Sequence, residues 1–366
     1  MKLRIFQPIV PEYRVALFDG LAEIPGLAVE VVAACSIGGD KSCELHKARF
    51  DYAHPFVRVG PLLWQSNLSL RGIGRGDVIV VCGDVHQLSS IWIAVKAKML
   101  GIKVVWWGHH TTATSSRMST RIRLAIAKCL SDVMLVYTRT GINYLVEHGF
   151  SRGKVFATGN TIDQEPIKNA IASYDGVDPF NGHLGLLCCS VLREKVRLDL
   201  AIRAMADPRL AQVRLAVIGD GPCKAEYMDV AKAVGVSDRV IWIGATRNQN
   251  EMAPWFLSAK AFVYPGAVGL SILHAMSYGL PVVVHGNPVH QMPEFEIMED
   301  GRTGLCFAEG SVKDLADKIA WMLENESRRK EMSLYCHKQA FECYSMTQMV
   351  ANFRNAVEAA IVKEEE

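Results

Sequence analysis

A chain of 366 residues is longer than one hydrophobic core usually serves, and it points to two domains. Half its residues are hydrophobic and 21% are charged, a globular composition with no disordered bulk. The formal net charge of +2 excludes the strong basic excess of a dedicated nucleic-acid binder. The 10 cysteines form no CxxC pair, which argues against zinc ribbons and thioredoxin-like motifs. Many sit in apolar runs, where a free thiol behaves as a small hydrophobe, and that favours a reducing cytosol. Met1-Lys-Leu-Arg-Ile-Phe6 runs straight into a strand without the apolar core of a signal peptide. No window approaches the roughly 20 apolar residues of a membrane span. The expectation is a cytoplasmic protein, soluble or peripheral on the inner face of a membrane.

In chain order, Leu3 to Phe6 reads as a strand, Tyr13 to Ile24 as a helix and Val29 to Cys35 as a second strand. Residues 36–70 look irregular. Val78–Cys82, Val104–Trp107, Val133–Tyr137 and Val155–Thr158 read as strands, alternating with helices over Gln87–Leu100, Arg117–Leu130 and Thr140–Glu147. From Thr161 to Gly182 the apolar runs stop and Pro166, Gly176 and Pro179 appear, so residues 164–182 read as a linker. The alternation then restarts. Strands are expected over Leu184–Cys189, Val213–Ile218, Val240–Ile243, Ala261–Tyr264 and Val282–Val284, with helices between them, and Glu294–Glu299, Val312–Leu323, Arg328–Cys343 and Thr347–Val362 read as successive helices. Strands alternating with helices make parallel sheets covered on both faces. The fold class is therefore α/β: two doubly wound, Rossmann-like domains facing a central cleft, with a helical C-terminal tail. Residues 1–163 form the first domain and 183–345 the second, and the helix in 346–366 packs back towards the first. Ligands in such sheets bind beyond the carboxyl ends of the strands.

Several strand ends carry residues suited to a ligand. Ala261–Pro281 reads strand, Pro265-Gly266 turn, helix from Leu270, stop at Gly279-Leu-Pro281, with backbone N–H groups at a helix start that suit an anion. An ordinary βα connection with glycines for tight packing fits equally well. Gly219-Asp220-Gly221-Pro222 is a second tight turn, and good turn chemistry explains it as readily as close approach of a ligand. Arg193, Lys195 and Arg197 follow the first strand of the second half. Cations disfavour a helix start, so they need a reason there, and a diphosphate would supply one. Trp107-Gly108-His109-His110 closes a strand where α/β enzymes place substrate-orienting groups. Glu294 stands where a carboxylate would accept hydrogen bonds from sugar or ribose hydroxyls, though acids after Pro293 also make good capping. His274, on a helix face, reads as packing or as a ligand contact. The basic amphipathic helix 117–128 suits an anionic membrane surface or plain solvent.

These pieces together resemble family four of the retaining glycosyltransferases, on the GT-B fold. The resemblance rests on Ile218-Gly-Asp-Gly-Pro222, Val240-Ile-Trp-Ile-Gly244, Val263-Tyr-Pro-Gly266, Gly269-Leu270 through His274-Ala-Met276, Tyr278-Gly-Leu-Pro-Val282 and Asp300-Gly-Arg-Thr-Gly304. In the first half it adds Trp107-Gly-His109, Tyr137-Thr138 and Gly159-Asn160-Thr161. It implies sugar transfer from a nucleotide-diphosphate donor to a glycan or lipid-linked acceptor, with retained configuration, no metal and no cofactor, in surface polysaccharide or glycolipid synthesis. It implies donor binding by Gly219, Asp220, Gly221, Pro222, Gly266, Val268, Gly269, Leu270, His274 and Glu294. It implies chemistry at His109, Lys195 and Arg193, and an acceptor side at Tyr13, Arg14 and His110. The chain departs from the family where Glu-x7-Glu is usual, for those places hold Gly266 and His274. The family's arginine falls on Ser190, Lys195 matches, and Arg193 is proposed as a stand-in. The usual glycine-rich first loop is replaced by Gln7-Pro-Ile-Val-Pro11-Glu-Tyr13-Arg14. A sugar-nucleotide epimerase of the same fold and a non-catalytic nucleotide-sugar-binding subunit are the other readings.

Overall fold

The computed structural model describes residues 1–37, 40–109 and 117–362, with the side chains of Asp40, Arg117 and Met118 left aside. The chain forms two compact units, Met1–Thr161 together with the segment from Met346, and Ile162–Ser345.

The first unit is built on a seven-stranded parallel sheet. From one edge its strands are Val155–Ala157, Val133–Val136, Lys103–Trp107, Val78–Cys82, Lys2–Phe6, Ala28–Ala34 and Arg49–Ala53. The central strands are runs of Val and Ile because both faces of the sheet are covered, and Val78 to Val81 are fully buried. Side chains alternate across a strand, so Trp106 and Trp107 belong to different cores. Trp107 packs with Phe18 of the first helix, Glu12–Ala22, and meets Phe353 of the last helix, Met346–Ile361, edge-on at 5.1 Å between ring centres. Such aromatic pairs add about 0.5–1.5 kcal/mol beyond the area they bury. Trp106 faces the helix Leu88–Met99 instead, through a core containing Ile93 and Ala94.

Residues 36–70, expected to be irregular, carry regular structure. Arg49–Ala53 pairs in parallel with Ala28–Ala34 as the sheet's edge, and Phe56–Val59 pairs with Leu62–Gln65 as a hairpin. The edge strand reads Arg-Phe-Asp-Tyr-Ala and only Ala53 is buried, so it lacks the apolar pattern of an inner strand.

The second unit holds a six-stranded parallel sheet in the order Val240–Gly244, Val213–Ile218, Leu184–Cys189, Ala261–Tyr264, Val282–His285, Gly304–Phe307. Counted along the chain this is 3-2-1-4-5-6, the order of dinucleotide-binding Rossmann sheets. The chain reverses its direction of winding between the first strand, Leu184–Cys189, and the fourth, Ala261–Tyr264. The last strand, Gly304–Phe307, falls between the helices expected over Glu294–Glu299 and Val312–Leu323, where no element is expected. Residues 164–182, read as a linker, include the helix Glu165–Ala172, and Ile167 and Phe180 are buried in the core of this unit. Pro and Gly punctuate that segment, but two large apolar side chains anchor it. The stretch expected as a helix from Glu294 is a 3-10 turn, Pro293–Ile297.

Candidate functional site

In the second unit the loop after the first strand lies across the ends of its two neighbours. Ser190 N–H donates to Ile218 O at 3.0 Å and Leu192 N–H to Asp220 O at 2.9 Å, which fastens the loop to the Gly219–Pro222 turn. On the other side Gly266 N–H donates to Val196 O at 3.0 Å and Ala267 N–H to Lys195 O at 3.1 Å. Ser190 Oγ and the Tyr264 hydroxyl, 3.1 Å apart, close the switch point between the first and fourth strands. Burial pushes the Tyr264 phenol up to about 12, so it stays protonated.

The glycines are explained by this loop. A Cβ on Gly221 would lie 2.5 Å from Leu192 O and 2.7 Å from Leu192 N. One on Gly219, whose φ is +139°, would lie 2.9 Å from Ser190 C and closer still to its oxygen. One on Gly266 would meet the backbone of Lys195 and Val196 at 2.8 Å. Gly219, Gly221 and Gly266 therefore admit the chain's own backbone, in keeping with the tight-packing alternative open for these turns. The amides of Gly266 and Val268 are likewise occupied, the latter by Gln291 Oε1 at 2.7 Å. Gly269 and Leu270, just before the helix Ser271–Ser277, have no bond described for their N–H groups. Pro222 completes the turn, and Asp220 is held below the usual carboxylate value by the Gly221 N–H and by Lys224.

Arg193 and Lys195 are exposed on the loop this bracing holds, and no ion pair is described for either. Arg197 differs: it pairs with Asp199 at 3.2 Å and sits in the left-handed region at φ 51°. Two of the three cations thus remain available at the carboxyl edge of the sheet. Exposed unpaired cations held by a rigid backbone are suited to an anionic ligand.

Glu294 is buried, and its Oε2 lies 3.8 Å from where a Gly269 Cβ would stand, so the carboxylate borders the open amides. Gln291, which no sequence signal singled out, clamps this region: its Oε1 takes the Val268 N–H and its Nε2 donates to His285 O at 2.9 Å. His274 lies elsewhere. Its Nε2 meets Gln249 Oε1 at 2.9 Å and its ring packs on Phe256 at 4.7 Å, and burial pushes its pKa down to about 4. Burial of its ring keeps His274 neutral near neutral pH, and these contacts place it in the packing of its helix against the one before it. Among the described residues no cluster of His, Cys, Asp and Glu could hold a metal ion.

In the first unit two strand ends and the start of the first helix gather an aromatic cage around one cation. The Arg14 guanidinium lies 4.3 Å from the Trp107 ring centre, 5.2 Å from Tyr13 and 5.4 Å from Tyr137. The His109 ring is 4.8 Å from that of Tyr137, so Tyr13, Arg14 and His109 share one edge of the sheet. His110 lies outside the described residues. Arg14 is only 5% exposed, and neither its Nη1 nor the Trp107 indole N–H, both buried, has an acceptor among the described residues. Cation–π contacts give about 2 kcal/mol when desolvated, whereas stripping water from an ion costs several. The Cys82 thiol nearby cannot be the counter-ion, because burial pushes it up to about 11.

The fold defined by these two parallel sheets is GT-B. The chain superposes on the lipopolysaccharide outer core galactosyltransferase WaaB over 98% of its own length and 99% of that chain, with TM-score 0.70 and 15% identity. It superposes on Anabaena HepE in complex with UDP over 98% of its length and 100% of that chain, with TM-score 0.74 and 14% identity. In sequence, residues 180–339 of the second unit match the family model for glycosyl transferases group 1. It is 28% identical over 181 residues to the sulfoquinovosyl transferase SQD2 of Arabidopsis thaliana, covering 48% of this chain and 34% of the relative. It is 24% identical over 169 residues to the N-acetyl-alpha-D-glucosaminyl L-malate synthase of Bacillus anthracis, covering 46% and 43%. The chain thus spans less than half the length of these curated relatives.

Proposed function

We propose that the protein is a retaining glycosyltransferase that moves a sugar of the hexose class from a nucleotide-diphosphate donor to a glycan or lipid-linked acceptor, in surface polysaccharide or glycolipid synthesis. The observation that carries this reading is the pair Arg193 and Lys195, exposed, without described partners, and braced at the switch point of a sheet that matches the family model. As the bond from the sugar's anomeric carbon to the diphosphate breaks, its electron pair leaves with the phosphate oxygen. Cations fixed beside that oxygen stabilise the growing charge more than they stabilise the intact donor. The acceptor hydroxyl passes its proton to that departing phosphate oxygen as its own oxygen joins the anomeric carbon.

Gly269 and Leu270 offer two open amides to the donor, and Glu294 offers a carboxylate for its hydroxyls. His109, exposed beside Tyr137, is assigned to the acceptor side as a hydrogen-bonding partner of a hydroxyl. Relatives support the substrate classes. HepE is described in complex with UDP and with UDP-glucose, and a matched relative from Streptococcus pneumoniae is an alpha-monoglucosyldiacylglycerol synthase. For a lipid-linked acceptor the helix Arg117–Leu130 would rest on an anionic membrane face, since Arg121, Ile122 and Lys128 are exposed on it. Among the described residues no helix is long and apolar enough to cross a membrane.

The test is a panel of UDP, GDP, ADP and CDP in a thermal-shift assay. A ligand that binds only the folded state stabilises it by about 2.7 kcal/mol at one hundred times its dissociation constant. At least one diphosphate should raise the melting temperature in that way, and its sugar conjugates should then turn over with an acceptor pool. Binding without turnover on any acceptor would favour the non-catalytic subunit, and epimerisation of the donor alone would favour the epimerase.

A further inference from the structure

The cage in the first unit poses a question that a neutral acceptor does not answer. Arg14 stands in the first turn of the helix Glu12–Ala22, where the unpaired amides already make the field positive, and its capping residue Pro11 contributes no side-chain bond. Its guanidinium is buried among Trp107, Tyr13 and Tyr137, with Nη1 lacking an acceptor. The indole N–H of Trp107, in the ring against which Arg14 lies, is a second buried donor with the same deficit. Buried donors are almost always satisfied, and two adjacent exceptions, one of them charged, call for an oxygen that carries negative charge. No carboxylate of the described residues bonds to Arg14, and the neighbouring Cys82 is a neutral thiol. The exposed side chains of Tyr13 and His109 stand at the rim.

We propose that Arg14 and the Trp107 indole N–H form an oxyanion subsite at the carboxyl edge of the first unit's sheet, which takes a carboxylate or phosphate group carried by the acceptor. The subsite rests on the reading that the acceptor occupies the first unit. It makes Arg14 a specificity-determining residue, because an acceptor without the anion leaves the guanidinium buried and unpaired.

The experiment uses the full chain and three proteins: the native sequence, Arg14→Met and Arg14→Lys. Succinate, glycerol 3-phosphate and uncharged glycerol are titrated by ligand-observed NMR, and UDP is titrated separately. The native protein should bind succinate or glycerol 3-phosphate and not glycerol, and whichever anion binds identifies carboxylate or phosphate as the group. Removing one partner of a buried charge pair should weaken that anion at least about 30-fold in Arg14→Met, while Arg14→Lys retains part of the affinity. UDP affinity should stay the same in all three. The melting temperature of free Arg14→Met should equal or exceed that of the native protein, because a buried unpaired charge has been replaced by an apolar side chain of similar length. Anion binding unchanged in Arg14→Met, no binding of either anion to the native protein, or a lower melting temperature with anion binding intact would each overturn the subsite. Failure of UDP to bind the native protein, with Arg14-dependent anion binding preserved, would remove the donor reading and leave the subsite standing.

Discussion

Replacing Gly266 by alanine tests whether the second unit's site is braced as described. The new methyl carbon would stand 2.8 Å from the carbonyl carbons of Lys195 and Val196. Carbon atoms pack at about 3.5–4.0 Å, so the two backbone segments must separate by roughly 1 Å. That separation breaks the bonds from Gly266 N–H to Val196 O and from Ala267 N–H to Lys195 O, at 3.0 and 3.1 Å. Two such bonds are worth about 1 kcal/mol each, and overpacking against backbone adds about 1–3 kcal/mol, for a loss of about 3–5 kcal/mol. For a unit of this size each kcal/mol corresponds to about 2–4 °C, so scanning calorimetry should show a fall of at least about 6 °C. Nucleotide-diphosphate affinity should fall with it, because Lys195 rides on the displaced segment. Gly269→Ala is the internal control. Its nearest neighbour would be Glu294 Oε2 at 3.8 Å, an ordinary contact, and its melting temperature should match that of the native protein. A Gly266→Ala protein that melts within a degree of the native one would refute the reasoning.

Three further outcomes are expected. Glu294→Gln should raise the KM for the sugar donor about tenfold while leaving the affinity for the bare nucleotide diphosphate unchanged, since a carboxylate accepting from a hydroxyl contributes about 1.5–3 kcal/mol; equal effects on both ligands would remove it from sugar recognition. His274, with its folded pKa pushed down to about 4 by burial, binds its proton more readily in the unfolded chain. Stability should therefore be complete above pH 6.5 and weaken by about 1.4 kcal/mol per unit as the pH falls from 6.5 towards 4, with His274→Phe flattening that slope in denaturant titrations. His109→Ala should reduce transfer by at least about 100-fold with the fold intact by circular dichroism, and full activity would take His109 out of the mechanism.

The sheets were legible because their strands are short runs of Val, Ile and Leu bounded by Gly and Pro, as in Val78–Cys82 and Val213–Ile218. Arg49–Ala53 was not, because an edge strand with one buried side chain shows no apolar pattern. Gly304–Phe307 was hidden by its brevity and by its place between two helical patterns. At the site, the sequence marks Gly219, Gly221 and Gly266 as special without showing which backbone they admit. That backbone, Ser190–Val196, is close in space and distant along the chain. Gln291 looks like any loop glutamine until its two bonds are seen. The burial of Arg14 was equally invisible, since its cage draws on residues 13, 107 and 137. The surroundings of His274 were hidden for a similar reason: Phe256 and Gln249, which pack and bond against it, come from the preceding helix.

The central claim is that Arg193 and Lys195 hold the departing diphosphate. It is tested most directly by single-turnover transfer from the nucleotide sugar that binds best, in the native protein, Lys195→Ala and Arg193→Ala. Both side chains are exposed and without described partners, so stability should be unchanged within about 0.5 kcal/mol. The rate of bond breaking should fall by about 100-fold or more in Lys195→Ala, and more than the loss of ground-state donor affinity explains. Native rates in both variants would contradict the account.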